Sequence, residues 1–333
     1  MQHTDNERNC KMKTKTRKFN LKNFLIRYAL YLLILVLWVF YASKSPHFFT
    51  IKNLKSLLVN AAPLLIYASG MTYILILGEI DLSIGSIGAV SAALWILLQT
   101  EHNVSLPVAF LIAALLGAFI GLLTGLMVVK LKINAFMTTL GMQFFLRGVC
   151  YLMVNGDQIL TPEAVHTFAK FKILSLSPLI YISLFIAICM TLLYRYTAFG
   201  RKVQACGCNR VAAKMVGINV DSVKLLSFVL CGLLAGFAGT LQCTNIGLLT
   251  PGSLGDGSEF LAITACVLGG TSLAGGVGSI IPGTLIGVIF YYSIENGLGL
   301  LGANVYLYPI VRGIVIYLAM VTDSLKRSIG TSK

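Results

Sequence analysis

Long apolar runs recur along this chain from Tyr28 to Thr322, and they constrain the fold more than any other feature. Several of them reach the ~20 residues that a helix needs to cross the hydrocarbon core of a bilayer. Hydrophobic residues make up 57% of the chain and charged residues only 11%, which is too little polar surface to cover a soluble globule. The sequence therefore predicts an all-α protein, a polytopic integral membrane helical bundle in which one domain takes up nearly the whole chain and contacts membrane lipid.

Apolar runs bounded by charged residues, Gly or Pro predict about ten transmembrane spans. They lie near residues 26–43, 56–77, 82–99, 107–129, 134–154, 177–194, 224–246, 259–273, 279–294 and 305–322. Most of the 26 Lys and Arg residues fall on one side of the membrane if the N-terminus is cytoplasmic, as the positive-inside rule requires. This placement accounts for the net charge of +14 without a nucleic-acid partner.

The same count predicts three parts of the chain, with both termini in the cytoplasm. A basic cytoplasmic tail covers residues 1–25, a transmembrane domain covers 26–322, and a short cytoplasmic tail covers 323–333. The transmembrane domain includes the longest cytoplasmic loop, over residues 195–223. We expect the first span to be retained, because Tyr41-Ala42-Ser43 offers no clear cleavage site for a signal peptidase.

Two carboxylates interrupt the apolar pattern in the stretch 78–86, between the second and third spans. A carboxylate near membrane depth is costly unless it is paired, caps a helix or is hydrated. Asp81 or Ser83 is suited to cap the third span at a break that Gly78 and Gly85 permit. Alternatively, Glu79 and Asp81 line a transport pathway, and the two roles are compatible.

A short amphipathic helix is predicted inside the loop 195–223. Asn209 can cap its start and Gly217 can end it. Val211 and Met215 are spaced at i and i+4, as are Ala212 and Val216, so an apolar stripe appears in an otherwise basic loop. This stripe either contacts a partner protein or packs back on the helix ends of the same chain.

A glycine-rich stretch over residues 268–279 joins the eighth and ninth spans. Glycine here permits a tight turn or a close approach of two backbones. A phosphate-binding P-loop needs a Lys directly after its last Gly, and the sequence contains no Gly-Lys dipeptide. The chain therefore lacks the motif of a conventional ATPase.

Several other residues within the spans need a structural role. Glycines at four-residue spacing predict close helix packing, and they are Gly117, Gly121 and Gly125 in one span and Gly283 and Gly287 in another. Arg147 and Arg312 each need an acid, a carbonyl or water. We predict Glu79 or Asp81 as the acid for Arg147, and Glu295 as the acid for Arg312.

Catalytic and metal-binding clusters are missing from the pattern. The four histidines fall in predicted loops or in the N-terminal tail. Cys206 and Cys208 have no second ligand pair with the spacing that a tetrahedral metal site requires. We expect no metal site, no bound cofactor and no enzymatic activity in this chain.

Taken in order, the three interrupted stretches resemble the permease subunits of bacterial ATP-binding-cassette (ABC) sugar importers of the ribose type. The first resembles the signature Gly-Gly-Ile-Asp-Leu-Ser-x-Gly-Ser, with Glu79 in place of the second Gly. The second resembles the family's cytoplasmic signature from Thr197 through Asn209 to Val220, and the third resembles its Leu-Gly-Gly-Thr-Ser-Leu-Ala-Gly-Gly motif from Leu268. The similarity covers roughly residues 45–325.

This resemblance implies a type II-like importer permease in the bacterial plasma (inner) membrane. Its partners are a second permease copy or a paired permease, ABC ATPase subunits that hold ATP and Mg, and an extracytoplasmic sugar-binding protein. The residues implied to couple to the ATPase are Asn209, Arg210, Val211, Ala212, Ala213, Met215, Val216 and Gly217. The implied pathway or signature residues are Glu79, Asp81, Ser83, Gly85, Gly269, Gly270, Thr271, Gly275 and Gly276.

Three features depart from the family pattern. Glu79 adds a charge to the first signature, Val211 stands where many relatives carry an acidic or polar residue, and Cys206-Gly-Cys208 replaces a commoner Ile-Gly-Gly. An ion-coupled secondary transporter, with Glu79 and Asp81 as coupling carboxylates, is the alternative from a different class. A membrane enzyme would need a polar catalytic cluster, which the sequence does not show.

Overall fold

The computed structural model describes residues 21–304 and 306–330, and helices form most of them. The predicted N-terminal tail lies outside the described residues up to residue 20, as do the last three residues of the predicted C-terminal tail. The helices are α1 Leu21–Lys44, α2 Ile51–Ile76, α3 Ile84–Thr100, α4 Leu106–Val129, α5 Ala135–Met153, α6 Glu163–Lys170, α7 Pro178–Tyr196, α8 Ala198–Cys208, α9 Arg210–Met215, α10 Val220–Ile246, α11 Ser258–Leu268, α12 Leu285–Leu300 and α13 Leu307–Gly330. A short antiparallel ribbon pairs β1 Ile159–Leu160 with β2 Leu248–Leu249.

Each predicted span overlaps one of these helices, but α12 begins six residues after the start of its predicted span (279–294) and α13 ends eight residues beyond its predicted span (305–322). The number of membrane crossings stays a prediction. Four of the helices in the described part of the chain are both long and apolar enough to cross a membrane by themselves, namely α2, α4, α7 and α10. The helices α3 and α11 are apolar but shorter, as are the apolar parts of α1 and α13. The structure thus agrees with an all-α membrane protein.

The central helix of the bundle is α2. Within its most apolar window, 89% of the residues are buried, compared with 17% in the corresponding window of α7. Large apolar side chains on α4, α5 and α7 face outward, among them Leu111, Phe144 and Phe185. A bundle that exposes this much apolar surface is stable in lipid rather than in water.

Close packing of α4 against α10 depends on the predicted glycine stripe. A Cβ added at Gly117 or Gly121 would collide with the α10 carbonyl of Gly232 or Phe228, respectively. Small residues let two helix backbones approach closely in a membrane, where packing rather than the hydrophobic effect drives association. A Cβ at Gly287 would likewise collide with the α11 backbone at Ala265. The predicted packing role of these glycines is confirmed.

Two helices begin inside the bundle, where extended or turned backbone precedes them. Residues 81–93, which include the start of α3, are all buried. The turns over residues 250–257 lead into α11, which has only 11 residues. The backbones of the two breaks touch, since a Cβ at Gly85 would collide with the carbonyl of Gly255. Irregular backbone of this kind is tolerated at membrane depth only where protein or a water-filled cavity surrounds it.

Candidate functional site

The three signature stretches converge on one end of the bundle. We call this contact region the signature junction, and define it by residues 76–79, 207–210 and 275–276. The Gly276 amide donates to the Ile76 carbonyl over 2.8 Å. A Cβ at Gly207 would collide with that same carbonyl and lie 2.7 Å from the Gly276 nitrogen. Three segments far apart in sequence therefore meet through their backbones.

An ion-pair cluster on Glu79 reinforces the signature junction. The Arg210 Nη2 atom lies 2.8 Å from Glu79 Oε1 and also donates to the Leu77 carbonyl over 3.0 Å. The Lys224 ammonium donates to the same Glu79 oxygen. The Glu79 side chain is 14% exposed, and two cations neutralise it. The extra carboxylate in the first signature thus acts as an anchor for α9 and for the start of α10.

Helix α9 has the start and the end that the sequence predicts. Asn209 Oδ1 accepts the backbone N–H groups of Val211 and Ala212, each over 3.0 Å, as an N-cap residue does. Gly217 follows with φ of +82°, a left-handed conformation that ends a helix. Ala213 is buried and faces the bundle.

The apolar stripe of α9 does not pack back on this chain. Val211 is 69% exposed, Met215 83% and Val216 76%, and Ala212 is exposed beside them. We call Val211, Met215 and Val216 the α9 edge. Its exposure excludes the reading in which the stripe packs against the chain's own helix ends, so this surface is open to a partner.

Asp81 shapes the break before α3. Its Oδ1 atom accepts the Ser83 backbone N–H over 2.9 Å and the Ser83 hydroxyl over 2.6 Å. The Ser83 side chain makes no capping bond to α3, so the acid stabilises the break and Ser83 supports the acid. Asp81 is 1% exposed. Its predicted place in a pathway stays a prediction.

The third signature forms a tight turn between α11 and the kinked segment Ile280–Thr284, in which Ile281 has extended backbone angles. Gly270, Gly275 and Gly276 all have positive φ angles, a conformation that disfavours side chains. Gly269 packs directly against the Gly283 backbone. Thr271 is fully buried, and its amide donates to the Cys266 carbonyl over 2.9 Å. These residues hold the loop against the end of α2.

The acid partner predicted for Arg147 is wrong. Arg147 Nη1 donates to the carbonyls of Pro251 and Leu254 over 2.9 and 2.7 Å, and Glu79 is already held by Arg210 and Lys224. The turns before α11 direct backbone carbonyls toward α5, and they satisfy the guanidinium that the bilayer would otherwise destabilise.

A polar cavity of about 360 Å³ lies between α2, α10, α11, α12 and α13. Polar side chains dominate its wall, including Asn60, Gln242, Asn245, Asp256, Glu295 and Arg312. Most of these residues do not stand out in the sequence, because each is a single polar position in or beside an apolar run. A polar side chain inside a membrane helix is costly and usually functional. This general rule is the sequence signal that points to the cavity residues.

The predicted pair of Arg312 and Glu295 is not formed. Both side chains line the polar cavity, but the ion pairs of the described residues do not join them. Arg312 instead reaches the start of α11, where its Nη1 atom lies 2.9 Å from a Cβ built on Gly257. The two charges therefore face a shared space.

Cys208 lies in the signature junction, and Cys206 lies just before it in α8. Cys206 is buried, and Cys208 is exposed with its thiol directed at the Gly276 carbonyl. Within residues 21–304 and 306–330, His, Cys, Asp and Glu side chains form no group of three that could hold a metal ion. The two cysteines act as small packing residues at the signature junction.

Comparison with known proteins places the chain in a family. Residues 53–320 match the family described as "Branched-chain amino acid transport system / permease component". The ribose import permease protein of Escherichia coli (strain K12) is 38% identical over 320 residues, which cover 93% of this chain and 98% of that protein.

Two further relatives carry other names. The L-arabinose ABC transporter permease protein of Azospirillum brasilense is 33% identical over 301 residues, covering 89% of this chain and 88% of that protein. The autoinducer 2 import system permease protein of Photorhabdus luminescens is 31% identical over 281 residues, covering 84% of each chain. No solved structure matches the chain. With its apolar helices and this match over most of its length, the chain belongs to the family of transport-system permease components and is a multi-pass protein of the inner membrane.

Proposed function

We propose that this chain is the membrane subunit of an ATP-driven importer, and that it moves a monosaccharide or related small polyol delivered by an extracytoplasmic binding protein. Its relatives carry the names of import permeases for ribose, L-arabinose and autoinducer 2. Ten membrane crossings with both termini in the cytoplasm fit this role, and so does a pore completed by a second permease copy. The chain itself performs no bond chemistry.

The α9 edge is the observation that carries the proposal. Three apolar side chains are exposed, Val211 and Met215 on the short helix α9 and Val216 directly after it, among neighbours in sequence that are basic and polar. Apolar side chains presented on one helix face are the usual contact of a helix with a groove on another protein. Because the chain has no Walker sequence, the partner that fits is an ATPase subunit that holds ATP and Mg.

Two helices connect this contact to the polar cavity. The α2 helix carries Asn60 in the cavity wall and ends at Ile76 in the signature junction, about 24 Å away at the rise of an α-helix. The α11 helix starts at Ser258 in the cavity wall, and the turn after it reaches the junction at Gly276. A displacement of α9 would therefore move both helices, and switching between two packed arrangements is how importers alternate access.

The opposite end of the bundle offers a contact for the binding protein. Lys52, Lys55, Lys170 and Lys172 surround a cleft of about 420 Å³ beside α2 and α6. Concentrated positive charge speeds association with an acidic partner surface and orients it. This cluster lies on the extracytoplasmic side in the proposed orientation, where the positive-inside rule otherwise disfavours Lys.

A charge on the α9 edge tests the proposal. Met215→Glu should abolish co-purification with the proposed ATPase subunit, because a carboxylate would be buried without a partner in the contact. Leu160→Glu is the matched control, since Leu160 is 72% exposed on β1, far from α9, and it should keep the complex. A Met215→Glu permease that still co-purifies with the ATPase at the wild-type ratio would refute the coupling assignment.

Uptake into liposomes by the permease alone, driven by an ion gradient, would support the secondary transporter instead.

A further inference from the structure

We propose that the polar cavity is a ligand site within a single subunit, and that it binds a neutral polyhydroxylated molecule of monosaccharide size. This inference rests on the proposed function and deepens it, since it gives the permease its own part in recognising the cargo. The volume of about 360 Å³ falls within the ~300–1,000 Å³ typical of small-molecule sites.

An amide pair in the cavity wall supplies the first matching groups. Asn245 Nδ2 donates to Asn60 Oδ1 over 2.9 Å, which fixes both side chains. The pairing leaves the Asn60 amide nitrogen to donate and the Asn245 amide oxygen to accept. A hydroxyl group both donates and accepts, so this arrangement suits neighbouring hydroxyl groups on one carbon chain.

The charges in the cavity favour a neutral ligand. Asp256 and Glu295 offer acceptors, and Arg312 offers a planar set of donors. Two carboxylates and one guanidinium give the open cavity a net charge of −1, which disfavours an anionic ligand, and the guanidinium beside the carboxylates weakens the attraction of a simple cation. A polyol gains from all three groups, since its hydroxyls can donate to the carboxylates and accept from the guanidinium.

Two unpaired polar atoms belong to residues in the cavity wall. Among the described residues, Gln242 Oε1 and Arg312 Nε are buried and have no hydrogen-bond partner, and both residues line the polar cavity. Tyr67 Oη is also unpaired, but it lies against Gly88 of α3. Buried polar atoms are normally paired, and each exception calls for a reason. A ligand that engages these side chains after small rotations would provide the missing partners.

Aromatic rings complete the wall. Tyr67, Tyr292 and Tyr308 all line the polar cavity. Tyrosine combines a flat apolar face with a polar tip, and a sugar presents an apolar C–H face together with its hydroxyls. Amide, charged and aromatic groups around one cavity thus match a sugar or cyclic polyol better than a purely apolar or purely ionic cargo.

The test measures thermal unfolding of the purified permease in detergent, titrated with neutral and amino-acid probes. The neutral probes are D-ribose, L-arabinose, xylitol and myo-inositol, and the amino-acid probe is L-leucine. At least one neutral probe should raise the Tm of the wild-type protein, because ligand bound only to the folded state stabilises it. Gln242→Leu should weaken the Kd of that probe about three- to tenfold, and Arg312→Gln should weaken it about tenfold or more.

Gln242→Leu is the decisive variant, because its amide oxygen has no partner to lose and the substitution keeps the side-chain size. Gln99→Leu is its control: Gln99 donates only to its own helix at Trp95 and lies outside the cavity wall, so the Kd should not change. The proposal is overturned if the wild type responds to none of the neutral probes, if it responds to L-leucine alone, or if Gln242→Leu keeps the wild-type Kd.

ATP-dependent uptake, measured in parallel, separates this proposal from the proposed function. Proteoliposomes contain the permease with its ATPase and receive the binding protein and the same probe. If the wild type binds a neutral probe but never imports it, the result supports the cavity as a ligand site and contradicts the importer assignment. If the wild type imports a probe and Gln242→Leu imports it equally well with an unchanged Kd, the importer stands and the cavity assignment fails.

Discussion

The signature junction and the polar cavity differ in how they are built. At the junction, backbones meet directly: Gly207 packs on the Ile76 carbonyl, and Gly276 donates to it. At the cavity, side chains from α2, α10, α11, α12 and α13 face one open space, and the Asn60–Asn245 amide pair is a side-chain contact within its wall. A region that transmits force needs rigid contact, whereas a region that admits a ligand needs polar groups around open volume. The α2 helix belongs to both regions, and α11 runs from the cavity wall to the turn that reaches the junction. A displacement at the junction can therefore be transmitted to the cavity.

The largest loss of stability is expected at Gly207, where the signature junction leaves no space for a side chain. Gly207→Ala places a methyl group against the backbone of Ile76, and because backbone cannot rotate away, overpacking should cost about 1–3 kcal/mol or more. Gly141→Ala is the matched control in α5, since nothing lies within 4 Å of its Cβ position. That change should stabilise the helix by about 0.5–1 kcal/mol.

Thermal unfolding of the two glycine variants in detergent checks this prediction. The Tm should fall for Gly207→Ala and should rise or stay unchanged for Gly141→Ala. Equal Tm values for the two variants would mean that the junction is less tightly packed than its geometry indicates. The structural difference between a closely packed junction and an open cavity would then be contradicted.

A second change separates coupling from folding. Glu79→Gln removes the carboxylate that Arg210 and Lys224 share, and each charge-assisted bond is worth about 1.5–3 kcal/mol when it is desolvated. Because Arg210 is half exposed, its share is smaller. ATP-dependent uptake should fall about tenfold, within the range of ordinary coupling energies.

Uptake into proteoliposomes that contain the ATPase measures this loss, with the amount of assembled complex determined in the same samples. Glu101→Gln is the control, because Glu101 is exposed at the end of α3 and takes part in none of the ion pairs of the described chain. Wild-type uptake by Glu79→Gln at equal complex levels would show that the ion pairs are not needed for transmission.

The smallest effect concerns the support of the cavity. Arg147→Gln removes the donors that hold the carbonyls of Pro251 and Leu254, just before Asp256 in the cavity wall. Because the Gln amide keeps a neutral donor in place of the guanidinium, the free energy of unfolding should fall by only about 0.5–1.5 kcal/mol. Arg195→Gln removes a single bond, to Ile281 O at the surface, and should lower the Tm less. If Arg195→Gln lowers the Tm as much as Arg147→Gln does, the turns before α11 do not depend on Arg147.

Residues that act within one short segment were predictable from the sequence. The Asn209 cap, the Gly217 end of α9 and the glycine packing of Gly117 and Gly121 all depend on neighbours at fixed spacing, and the structure confirms them. The helices themselves follow from apolar length. The role of Glu79 was open, because its partners at 210 and 224 are far away in sequence.

The polar cavity could not be predicted from the sequence for the same reason, because its residues are far apart along the chain. Asn60 and Asn245 come from α2 and α10, and their pairing depends on how those helices rotate and pack. Arg147 is the clearest example of what the sequence does not reveal. Its partners are backbone carbonyls, which every residue carries, so no sequence pattern distinguishes them. Dispersed side chains and backbone partners appear only once the helices are placed.

The central claim is that the signature junction controls access to the polar cavity, and thiol accessibility tests it most directly. Asn245→Cys in the assembled transporter is exposed to a membrane-impermeant thiol reagent from the extracytoplasmic side, with and without ATP, and the parent chain provides the background rate. We predict that the modification rate changes at least severalfold with ATP, and that adding Glu79→Gln removes this ATP dependence. The account is contradicted if the modification rate of the Asn245→Cys protein is the same with and without ATP. It is also contradicted if the protein that carries both Asn245→Cys and Glu79→Gln keeps the full ATP dependence.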